Sequence, residues 1–202
     1  MHKKLYLYLA SILTVSSSVA CAQSAEDAAI GKQYRSGPAP SCQIFEPATV
    51  TSFVSSSCSA CSAVEIANAS DGNLTTAATL NLTSVASTPS VSVRSTSTQS
   101  YPGGITVAAA VEFPEQLNPE TRIAVSTYFQ GNLQEQIQPG GFVGPRPIGT
   151  AFYGFHANKK FDAIEFTLYA SSISGIVVNG TEVPPVAAKG VTKVYEFCSG
   201  VN

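Results

Sequence analysis

The sequence predicts an all-β chain, folded as a single antiparallel β-sandwich. Three observations carry that expectation. Apolar residues come in short runs rich in Val, Ile, Thr, Tyr and Phe. Gly, Pro and Asn punctuate those runs at close spacing. No stretch places apolar residues at helical spacing between capping residues. Composition narrows the function. The 202 residues carry a net charge of −2, with 12% charged and 44% hydrophobic. A chain this apolar does not stay disordered, and it has no basic excess for a nucleic-acid backbone.

At the N-terminus, His2, Lys3 and Lys4 precede an apolar run from Leu5 to Val15. That is the length of a signal-peptide core and too short to span a bilayer. Ala20-Cys21-Ala22 fits a cut after Ala22, making 1–22 a signal peptide. Ser18-Val19-Ala20-Cys21 also reads as a lipobox, with Cys21 as the lipidated first residue. Both readings export the chain, as a secreted or cell-surface protein or as an outer-membrane lipoprotein. No later run is long and apolar enough for a transmembrane segment. Residues 23–41, with Gly37-Pro38-Ala39-Pro40, read as a linker, and 42–199 as the sandwich domain.

Four cysteines remain after the leader: Cys42, Cys58, Cys61 and Cys198. An even count in an exported chain favours disulfides, with three possible connectivities. The preferred reading is Cys58–Cys61 with Cys42–Cys198. The second bridge ties the start of the domain to its end, worth about 4–5 kcal/mol of chain entropy. The Cys58-Ser-Ala-Cys61 spacing lacks the βαβ surroundings of a redox site. A zinc site lacks a second ligand pair, because His156 is the one histidine outside the leader.

Strands are expected in order. Ser90 to Ser95 alternates polar and apolar. Ile105 to Phe113 follows the Pro102-Gly103-Gly104 turn, and Arg122 to Phe129 follows Asn118-Pro119. Gly131-Asn132 reads as a hairpin turn into Leu133 to Ile137. A breaker-rich loop over 139–147 leads to Ala151–His156 and Phe161–Tyr169. Ile176–Val178 meets a turn at Asn179-Gly180, and Thr192–Cys198 closes the domain.

Candidate chemistry is sparse. Asp71-Gly72-Asn73 reads as a turn, or as a Ca²⁺ site in which Asp71 and Asn73 offer hard oxygen ligands. Asn68, Asn73, Asn81 and Asn179 each begin a glycosylation sequon. Paired carboxylates are the plausible catalytic machinery, from Glu112 with Glu115 or Asp162 with Glu165. The members of each pair are an odd number of residues apart, which places them on opposite faces of a regular strand. His156 lacks the G-x-S-x-G context of a nucleophile. Tyr128 and Tyr153 are the aromatic candidates for stacking on a sugar.

Cys58-x-x-Cys61 with Asn68-Ala-x-Asp71-Gly72-Asn73 resembles the opening of a surface-protein repeat found in secreted proteins of Bacteroidetes-type bacteria. Ile123 to Glu135 resembles its central hairpin, and Phe161 to Leu168 with Val194 to Phe197 its last strands. The Asp71-Gly72 segment also looks like the first loop of discoidin or galactose-binding-like sandwiches. The resemblance implies an extracellular sandwich of jelly-roll or galactose-binding-like type, adhesive or scaffolding in role. The resulting expectation is an exported, non-catalytic protein that binds an extracellular glycan or surface protein, with no cofactor beyond Ca²⁺. The alternatives are a secreted carbohydrate-active enzyme using paired carboxylates and a pilin-like or matrix subunit.

Overall fold

The computed structural model describes residues 32–34, 42–47, 49–84, 88–117, 121–137, 149–170, 176–178, 181–183 and 188–201. The predicted signal peptide, the lipidation candidate Cys21 and the loop at 139–147 lie outside them. Among the described residues the chain is all β, with one short 3-10 turn at Ile66–Ser70.

Fourteen strands are described: β1 Lys32–Tyr34, β2 Cys42–Ile44, β3 Thr49–Val54, β4 Ser62–Val64, β5 Ala78–Ser84, β6 Ser90–Tyr101, β7 Ile105–Phe113, β8 Thr121–Phe129, β9 Asn132–Ile137, β10 Gly149–Ala157, β11 Phe161–Ala170, β12 Ile176–Val178, β13 Thr181–Val183 and β14 Ala188–Val201. One sheet runs β1-β10-β7-β14-β5-β4, with β2 also on β14, and the second runs β3-β6-β11-β8-β9. Both are antiparallel throughout. β12 and β13 form a separate hairpin. Of the expected linker, Lys32–Tyr34 is described, and it pairs with β10 at the edge of the larger sheet.

The core follows from period-two alternation. Val91 and Val93 of β6, Ile123 and Val125 of β8, and Ile164, Phe166 and Leu168 of β11 turn one face inward. Leu80 and Leu82, Val107 and Val111, and Val194 and Phe197 meet them from the larger sheet. At one end Phe45, Tyr101 and Phe161 pack ring on ring, with centroids 4.9 and 5.4 Å apart along the series.

One turn and one close approach require glycine. The β8–β9 hairpin turns on Gln130 and Gly131, at φ 51° and 80°, the type I′ pattern. The two-residue turn therefore sits one position before the expected Gly131-Asn132, and Asn132 already pairs with Phe129. At Gly154 a Cβ would collide with the Val107 carbonyl of the neighbouring strand, so β10 and β7 pack closely only with glycine there.

The structure joins Cys42 to Cys198 and Cys58 to Cys61, with Cα separations of 5.3 and 5.6 Å. The first links β2 to β14 beside the Cys198–Ile44 pairing. On the chain-entropy model the long closure is worth far more than the short one. Cys42→Ser should cost about 3–5 kcal/mol and Cys58→Ser about 2 kcal/mol or less. Guanidinium unfolding without reductant checks this, and equal losses would contradict it.

Candidate functional site: a groove across the five-stranded sheet

The outward face of the five-stranded sheet carries the candidate site. Register aligns Thr51 of β3 with Arg94 of β6, Arg94 with Glu165 of β11, Glu165 with Ser126 of β8, and Ser126 with Gln136 of β9. The neighbouring row runs Phe53, Ser92, Thr167, Ala124. Because β6 places Val91 and Val93 inward, Ser90, Ser92 and Arg94 must face out. A groove of about 520 Å³ follows these rows.

Glu165 is its electrostatic centre. It is 9% exposed although its strand face points outward. The Arg94 guanidinium donates from Nε at 2.8 Å and places Nη2 2.7 Å from the same oxygen, Oε2. The Tyr128 hydroxyl donates to Oε1 at 3.1 Å, and Thr167 Oγ1 donates to it at 3.2 Å. The Arg94 guanidinium also lies 3.6 Å from the centroid of the Tyr128 ring. Burial first, and then the Glu165 charge, push the Tyr128 phenol above its usual range. Gln136 donates to Ser126 Oγ at 3.0 Å on the far side of Glu165.

Of the two expected aromatic ligands, Tyr128 lines the groove and Tyr153 does not. Tyr153 is 1% exposed and meets Phe113 edge-on at 5.6 Å in the core. Alternation does set Phe152 and Tyr153 on opposite faces. It is the odd-numbered residues of this stretch, Ala151, Tyr153 and Phe155, that turn inward. Phe53 was not anticipated. It is 61% exposed at the β3 edge and lines the groove.

The carboxylates considered for catalysis are dispersed. Glu112 receives the Tyr195 hydroxyl and lies near Lys193, and both interactions lower its proton affinity. The same bond is the chief cause of the Tyr195 pKa being pushed up to about 12. Glu115 faces Lys189. Asp162 accepts the Gln130 amide at the β8–β9 turn. Among the described residues lining the groove, Glu165 is the one carboxylate.

The Asp71 loop lies elsewhere, over β14. Asp71 Oδ1 accepts the Asn73 amide and Oδ2 accepts Thr76 Oγ1, while Asn73 Oδ1 accepts the Thr75 amide and hydroxyl. These are the bonds of an Asx turn. Beneath it, Gly72 donates its amide to Glu196 Oε2 at 2.9 Å. A register shift between Val194 and Glu196 brings that side chain under the loop. Glu196 is 0% exposed. Burial raises its pKa to about 7, backbone amides oppose the rise, and the Asp71 charge adds to it. Asp71 and Glu196 are the two carboxylates at this loop, beside the Asn73 and Thr76 oxygens, and among the described residues no cluster of three or more His, Cys, Asp or Glu comes together to hold a metal ion.

No known family model matches the chain, and no curated protein sequence does. Among solved structures it is similar to carbohydrate-binding module CBM32-1 of a family 31 glycoside hydrolase from Clostridium perfringens. That likeness has 13% identity and a TM-score of 0.41, over 76% of this chain and 95% of that one. CBM32-4 of CpGH89 from the same organism, in complex with GlcNAc-α-1,4-galactose, gives 11% and 0.40 over 81% and 96%. The enzymatically active domain of bacteriophage CBA120 tailspike protein 4 gives 14% and 0.40, and 76% of this chain spans 19% of that one. These are distant likenesses, and the two-sheet sandwich rests on the strand pairing described above.

Glu196 sets a pH dependence. Its folded pKa of about 7 lies above its ordinary value of 4.5, so the folded chain holds a proton that the unfolded chain releases. Its contribution to stability is full below about pH 4.5 and is lost as pH rises through 7. In chelator, wild type should lose roughly 2–3 kcal/mol between pH 5 and pH 8 from this group. Glu196→Gln should flatten that decline in thermal melts, and an unchanged slope would refute the assignment.

Proposed function

We propose that this protein is an exported, non-catalytic β-sandwich that binds glycan at the cell surface or outside the cell, in an adhesive role. The observation that carries the reading is the Arg94–Glu165–Tyr128 cluster set among Thr51, Ser92 and Thr167 in one groove. Sugar hydroxyls both donate and accept, and a guanidinium, a carboxylate and several hydroxyls side by side match them in both senses. The exposed Phe53 ring supplies an apolar face for a pyranose. Two disulfides agree with an oxidising compartment. The resemblance to secreted surface-protein repeats supports the extracellular, adhesive part of the reading. Secretion or a lipid anchor at Cys21 would place the domain there.

A glycan array, run with and without Ca²⁺, tests this. Wild type should bind at least one glycan, and Arg94→Ala and Tyr128→Ala should each weaken that binding by about tenfold or more. Binding to no glycan, or full binding by both variants, would remove the reading.

We assign the Asp71 loop a supporting role as a Ca²⁺ site, with Asp71, Asn73, Thr76 and Glu196 as its donors. A cation there would balance the Glu196 charge and oppose its loss of stability at alkaline pH. Millimolar Ca²⁺ should raise the melting temperature of wild type at pH 8 by several degrees. It should leave Asp71→Asn and Glu196→Gln unmoved, and an equal shift in all three would place any bound cation elsewhere.

A further inference from the structure

We infer that the groove selects a linear, uncharged oligosaccharide several units long, laid across the strands of the five-stranded sheet. This rests on the glycan reading above and adds length and charge to it.

Length comes from the topology. The row Thr51, Arg94, Glu165, Ser126, Gln136 takes one residue from each of the five strands. Four interstrand gaps of ~4.8 Å make that row roughly 19 Å long, several pyranose units. A second hollow of about 340 Å³ adjoins the first and shares Ser90, Gln136 and Thr167 with it. It lies beside the row, widening the trough along the strand direction from Thr167 towards Tyr169 and Pro89. A monosaccharide would occupy a fraction of this surface.

Charge comes from the pairing at the centre. Arg94 and Glu165 cancel, and the other described residues lining both hollows carry no formal charge. Arg94 directs both Nε and Nη2 at Glu165. The pair is already neutral, so an anionic sugar that reaches the remaining guanidinium donors gains no net attraction and sits beside the nearly buried Glu165 charge, which repels it. A neutral hydroxyl can accept from the remaining Arg94 donors without breaking the pair or meeting that repulsion. The aromatic roles also separate. Arg94 covers the Tyr128 ring, so Phe53 is the ring with a free face, and Tyr128 acts as a positioning residue for Glu165.

Titration calorimetry on the full chain tests this. The ligands are neutral gluco-, xylo- and manno-oligosaccharides from mono- to hexasaccharide, beside uronate and sulfated oligomers of matched length. In one neutral series, affinity should rise by about tenfold or more from the disaccharide to the hexasaccharide. Charged oligomers should bind at least about tenfold more weakly. Phe53→Ala, at an exposed position, should lose most of the gain with length while melting as wild type does. Glu165→Gln should relax the discrimination against uronates; if it does not fold, the wild-type preference for neutral chains decides the point. A hexasaccharide that binds no better than its monosaccharide overturns the proposal and leaves glycan binding standing. Preference for a charged oligomer does the same. Binding to no saccharide at all overturns both.

Discussion

Strand β14 pairs with β7 on one side and with β5 and then β2 on the other, so β2 near the start of the domain and β14 at its end are neighbours in one sheet. That arrangement brings Cys42 and Cys198 within bridging distance and closes the larger sheet around its C-terminal strand. It also explains two local features. Gly190 of β14 passes close to the Leu117 and Thr121 side chains, where a Cβ would crowd both. The register shift after Val194 lets Tyr195 reach Glu112 while Glu196 enters the space beneath Gly72. A bulge in a strand held on both sides re-aims side chains without releasing the strand.

The smaller sheet depends on β14 indirectly. Its inward residues, Val91, Val93, Ile123, Val125, Phe166 and Leu168, are buried because the larger sheet covers them. Once that face is fixed, alternation leaves no freedom for the other. Ser90, Ser92 and Arg94 must face outward, and so must Glu165 and Thr167. A slip of one residue in β6 would turn Arg94 inward and expose Val93, and one in β11 would turn Glu165 inward and expose Phe166. The hydrophobic core therefore sets the register that assembles the groove.

This explains what the sequence could and could not reveal. Strands β6, β7, β8 and β11 were legible because each is long, alternating or apolar, and bounded by breakers. The polar face of Ser90, Ser92 and Arg94 was legible too. The Arg94–Glu165 pair was not, since the two are 71 positions apart and meet only through the β6–β11 register. Strand β3 carries a mixed, mostly exposed pattern, so Phe53 gave no signal. Glu196 gives no signal in the sequence, because its burial depends on a loop 124 positions earlier. Tyr153 shows the opposite limit: alternation separates it from Phe152, but only tertiary packing decides which of the two is inside.

The placement of Arg94 and Glu165 is hard to account for by stability. Exposed ion pairs contribute about 0–1 kcal/mol, and removing a pair from water costs more than it returns unless every lone pair is satisfied. Here the carboxylate is nearly buried, and Tyr128, Thr167 and Arg94 are all committed to satisfying it. An aliphatic cross-strand pair would hold the two strands as well, with fewer conditions. It would also leave the centre of this face without its guanidinium donors and its carboxylate. A fully hydrogen-bonded ion pair instead keeps the floor of the groove polar, rigid and neutral. Those properties let a surface discriminate among uncharged polar ligands, and they tie the energetics of the sheet to its role in binding.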